Sequence, residues 1–61
     1  MPEVIVYAVE GRSAEQKKKL LKAITHAVVE SFEIAPEHVV VQIVESAPGN
    51  KSKGGISFDE R

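Results

Sequence analysis

Apolar residues crowd into two dense runs, EVIVYAV at positions 3–9 and VVVQIVE at positions 39–45. Between the runs they recur every three or four residues instead. Runs this rich in Val, Ile and Tyr predict β-strands from Glu3 to Val9 and from Val39 to Glu45. The segment between them predicts a helix from Ala14 to Phe32. Wound at about 100° per residue, it gathers Leu20, Leu21, Ile24, Ala27, Val28, Ser31 and Phe32 on one arc. Lys18, Lys19, Lys22, His26 and Glu30 fall on the other side, so the lysine run reads as a solvated face. Ser13-Ala14-Glu15-Gln16 fits a capping box, in which Ser13 and Gln16 satisfy each other's backbone donors. Pro36 is expected to end any helical continuation, and His38 to be a loop residue at the entry to the second strand.

A strand, a helix and a strand with so long a crossover predict parallel pairing through a right-handed connection. Val4, Val6 and Ala8 alternate with Ile5, Tyr7 and Val9; Val39, Val41 and Ile43 alternate with Val40 and Val44, and Gln42 is the polar exception. Strands apolar on both faces are buried on both. One helix covers only one face, so a second copy is expected on the other and the chain is expected to be an obligate oligomer. The tail SAPGNKSKGGISFDER, positions 46–61, reads as a loop and then a short hairpin or edge strand. Such an arm is placed to reach a neighbouring subunit. The expected fold class is α+β: one domain over residues 1–61, a β-α-β unit with a short C-terminal hairpin.

Composition narrows the chemistry. At 61 residues a single core supplies only about 3–5 kcal/mol, and small chains lean on disulfides, metals or association. The absence of cysteine excludes disulfides, thiolate metal sites and thiol catalysis. His26 and His38 have no carboxylates at metal-ligand spacing and no orienting acid, so neither a metal site nor a Ser-His-Asp set is expected. Association remains. A net charge of −1 gives no footprint for nucleic acid or an anionic membrane. The start MPEVIVYAVEGR lacks a basic leader, and Glu10 interrupts its apolar run, so a soluble, cytoplasmic protein is expected. Gly49 and Gly54 have the gap of a phosphate loop, but Gly55 stands where its lysine belongs. Glu10 and Glu45 end different strands and read as solvated.

Two residues carry more interest. Pro2 opens a strand although it has no N–H to give a ladder; either it occupies a tolerated first position, or Met1 is removed and its ring nitrogen becomes a free secondary amine. Arg12 stands between the first strand and the helix N-terminus. There it is either solvated or a planar clamp for a carboxylate.

Met1-Pro2 ahead of a strand, Glu10-Gly11-Arg12-Ser13 followed by Glu15-Gln16-Lys17, and Gly54-Gly55 near the end together resemble the 4-oxalocrotonate tautomerase family, over the whole chain. The resemblance implies a β-α-β fold that pairs into dimers and assembles as a hexamer, without a cofactor. It implies that Pro2 is the general base and then acid, moving a proton in the enol or dienol of a 2-oxo acid. A secondary amine in an apolar pocket near cations loses its preference for the charged form, which suits proton transfer near neutral pH. Arg12 maps to a carboxylate-binding arginine, and Ala8 and Val9 map to apolar positions of the pocket. The chain departs from the family at Val40, where a second arginine is expected, and at Lys51, where an aromatic side chain is expected. Lys51 or Lys53 is the candidate to replace the missing charge on a small carboxylate substrate. A non-catalytic subunit of a hetero-oligomer and a small-acid binding protein are the alternatives.

Overall fold

A computed structural model describes residues 1–60 of the chain. Strand β1 (Glu3–Val9) leads to helix α1 (Ala14–Phe32), and strand β2 (Val40–Ser46) returns beside β1 in parallel. Strands β3 (Ser52–Lys53) and β4 (Ile56–Ser57) form an antiparallel hairpin. The β-α-β unit with a terminal hairpin is the architecture expected.

The register pairs Val4 with Val41, Val6 with Ile43 and Ala8 with Glu45 on one face, and Ile5 with Gln42 and Tyr7 with Val44 on the other. Helix α1 covers the first face through Leu21, Ile24 and Val28, which are partly buried. The second face is bare: Tyr7 is 72% exposed and Ile5 46%. Leu20, Ala27, Ser31 and Phe32 complete the expected apolar arc of the helix but stay exposed, while Thr25 and Val29 are partly covered instead. Two strands spaced about 4.8 Å apart make a floor narrower than that arc. No described residue is fully buried. The chain alone therefore has two half-covered layers and no interior.

The capping box forms as expected. Gln16 N–H donates to Ser13 Oγ at 3.1 Å, and Ser13 N–H donates to Gln16 Oε1 at 3.0 Å. The helix keeps its expected bounds, Ala14–Phe32, while the second strand lies one residue later than the expected Val39–Glu45. Glu33, three residues before Pro36, caps the helix by adopting the left-handed conformation (φ 55°) and donating its N–H to the Val29 carbonyl at 2.9 Å. Pro36 instead opens a 3₁₀ turn over Pro36–His38, where its fixed φ and missing donor suit a first position. Val39 closes that turn by donating to the Pro36 carbonyl at 3.1 Å, which spends its N–H before the ladder begins at Val40.

The arm after β2 packs mainly on itself. A 3₁₀ turn over Pro48–Asn50 precedes the hairpin, and the Phe58 N–H returns to the Lys51 carbonyl at 2.8 Å. Gly54 and Gly55 have φ of 64° and 82°, the pair of positive values that a two-residue type I′ turn requires.

Candidate active site

The end of β1 where the chain turns into α1 is built around Gly11 and Arg12. Gly11 has φ 129°, a conformation L side chains rarely adopt, and it lets the chain leave the sheet at once. The Glu10 N–H donates to the Ser46 carbonyl at 2.9 Å, tying the base of the loop to β2. The capping box then fixes the first helical turn. Arg12 is held between these two anchors and is itself exposed.

Arg12, Ala8 and Val9 line one cleft of about 230 Å³, together with Leu20 and Ile43. Three of the residues expected to form a pocket therefore come together. The same cleft holds an ion pair that sequence reasoning missed: Lys17 Nζ lies 3.0 Å from Glu45 Oε1, with both side chains about two-thirds covered (35% and 30% exposed). Glu45 is thus paired, not simply solvated. Period-two alternation from Val41 and Ile43 places Glu45 on the covered face, and Lys17 lies one turn before Leu21 on the covered side of the helix. Those two periodicities were the available signal.

Pro2 is elsewhere. It precedes β1, is partly buried, and its carbonyl accepts the Val40 N–H at 3.0 Å. The seven residues of β1 rise about 3.3 Å each, so roughly 20 Å of strand separates Pro2 from the Arg12 cleft. One chain does not bring the two together. Met1 is 84% exposed, and while it is present the Pro2 nitrogen is an amide without basicity. Lys51 is partly buried on the arm, where its N–H donates to the Pro48 carbonyl at 3.3 Å.

A larger hollow of about 610 Å³ runs along α1 past Leu21, Thr25, Val29 and Pro36, and it touches neither Pro2 nor Arg12. His26 on its rim lies 3.5 Å from Glu30, but both are largely exposed, so this acid orients nothing. Among the described residues no three His, Cys, Asp or Glu side chains converge as a metal site would require. Nor is any described helix long and apolar enough to cross a membrane.

Comparison with known proteins identifies the family. The family model of the tautomerase enzymes matches residues 2–61. The chain belongs to the tautomerase family. It is 43% identical over 61 residues to a probable tautomerase of Bradyrhizobium diazoefficiens, covering all of this chain and 91% of that protein. It is 37% identical to the 2-hydroxymuconate tautomerase of Comamonas testosteroni, over 98% of this tautomerase and 95% of the relative. In structure it resembles the heterohexamer 4-oxalocrotonate tautomerase of Chloroflexus aurantiacus, with a TM-score of 0.90, 35% identity, and 98% and 97% of the two chains covered. This tautomerase is thus an isomerase of the 4-oxalocrotonate tautomerase type, with the β-α-β fold of that group.

Proposed function

We propose that loss of Met1 frees the Pro2 nitrogen, and that this amine carries a 1,3 keto–enol proton transfer on the enol or dienol of a 2-oxo acid. The nitrogen takes the enol hydroxyl proton as the C–O bond becomes a carbonyl. It then returns the proton to carbon, two atoms along. Arg12 holds the substrate carboxylate and faces the negative charge that builds on oxygen in between. Ala8 and Val9 supply the apolar wall, which keeps water from stabilising the protonated amine. Lys51 adds positive potential at the mouth.

The observation that carries this reading is a split one. Pro2 leads straight into β1, and Arg12 sits at the far end of the same strand in a cleft whose apolar wall is Ala8, Val9, Leu20 and Ile43. A site using both takes them from different copies, so the protein works as an oligomer; the hexamer of dimers and the cytoplasmic location belong to the same proposal through the family resemblance. The surface agrees: 4864 Å² are exposed, against about 3,900 Å² for a compact monomer of this mass. Two measurements test the reading together. The intact mass of the purified protein is expected to lack one methionine, and the processed protein is expected to ketonise a 2-hydroxydienoate. A retained methionine in fully active protein rules it out.

A second reading has support from the heterohexamer among the structural neighbours. Here the chain is one of two kinds of subunit, and its partner supplies a second arginine. Activity that is negligible alone and rises on mixing with an arginine-bearing homologue would establish it.

A further inference from the structure

We infer that Glu45 is a positioning residue: by binding Lys17 it holds the Arg12 cleft to one net positive charge, and so sets how tightly the cleft grips an anionic substrate. This rests on Arg12 being the carboxylate-binding group. Alternation along β2 puts Glu45 on the face that α1 covers, in line with Val41 and Ile43 and paired with Ala8 in the ladder. An apolar side chain would satisfy that pattern. A covered ion pair is a weak way to stabilise a fold, because the water both groups give up offsets most of their attraction. The cation is no better placed for stability. Lys17 is the fourth residue of α1, near the end whose free N–H groups repel positive charge. Yet the two side chains meet at 3.0 Å, each about two-thirds covered, across 28 residues of sequence.

The pair lines the same cleft as Arg12, and these three side chains carry all the charge of its lining. Lys17 has a carboxylate partner; Arg12 has none among the described residues. The native cleft therefore presents Arg12 as its one uncompensated cation. Without the Glu45 charge it would present two, and substrate and product would both be held harder. The enol and its keto isomer carry the same carboxylate, so the extra grip would do nothing for the chemical step and would slow release. Taken as round, a cleft of about 230 Å³ is about 8 Å across, and a unit charge at that range changes anion affinity by about three- to tenfold near a protein surface.

The test measures the binding of 2-oxobutanoate to processed, assembled protein by titration calorimetry at low salt. Glu45→Gln keeps the shape and an acceptor for Lys17 but drops the charge. It is expected to tighten binding by about three- to tenfold, and the gain is expected to fade in high salt. Lys17→Met is expected to weaken binding by a similar factor, and the double variant to return close to the native affinity. In turnover of a 2-hydroxydienoate, Glu45→Gln is expected to lower KM without raising kcat. A bridge that only braces the fold would change binding in the same direction in both single variants, or in neither, and either result overturns the inference. Glu45→Met repeats the charge test if Glu45→Gln does not assemble. Arg12→Ala separates the two claims. If it leaves binding unchanged, the carboxylate role of Arg12 fails and the role of Glu45 with it; if it weakens binding while Glu45→Gln does not tighten it, only the role of Glu45 fails.

Discussion

Pro2 and Arg12 flank opposite ends of β1 and do not share one chain's pocket. Their chemistry differs accordingly. Pro2 supplies a proton acceptor only as a free amine, so adding a residue between Met1 and Pro2 should abolish turnover while leaving the fold intact. Arg12 supplies charge and a planar fork. Arg12→Ala is expected to lower kcat/KM by about 10–100-fold, the loss of charge-assisted hydrogen bonds worth about 1.5–3 kcal/mol, and Arg12→Lys to restore only part of it. Steady-state ketonisation rates check both. EGRS beside an initial Met-Pro singled both residues out in the sequence. The pairing of Lys17 with Glu45 was not, because it needs the register of β2 and the rotation of α1 at once.

At the scale of the elements, local side-chain chemistry decided which boundaries were legible. Ser13 and Gln16 announce a helix start through their own donors and acceptors, and the start lies where they place it. Ser13→Ala is expected to cost about 1 kcal/mol, read as a lower thermal midpoint without a change in subunit number. Gly54-Gly55 likewise announces its turn. Gly55→Ala places a side chain at φ 82° and should strain that turn by about 1–2 kcal/mol. Faster hydrogen exchange at the Phe58 amide, which closes the arm onto Lys51, would record it. The other helix end was legible from Phe32, the last apolar residue of the arc, but its cap was not. Glu33 stops α1 by adopting a left-handed conformation, and glutamate carries no composition signal for that. Val39 reads as strand by its side chain, and only its bond to Pro36 removes it.

The whole molecule is long and thin. Its radius of gyration is 14.6 Å, where a compact domain of this length has about 10.5 Å. The alternation of apolar residues on both faces of both strands foretold an uncovered face, and the structure leaves Tyr7 and Ile5 bare on it. The number of copies is not written there, since apolarity says that a face is covered and not by how many chains. Tyr7→Asp is expected to break the assembly into smaller species, because a charge on the covered face loses its water without gaining a partner. Sedimentation velocity would show the shift, and activity should fall with it, since Pro2 of one copy would lose Arg12 of another.

The most direct measurement is the ketonisation rate of a 2-hydroxydienoate by processed protein whose mass shows Met1 removed, compared with Pro2→Ala in the same assembled state. General acid–base catalysis by a positioned group contributes about 10²–10⁴-fold, and the variant should lose that much. A Pro2→Ala protein that assembles and turns over the dienol at the native rate would contradict the assignment of Pro2 as the base.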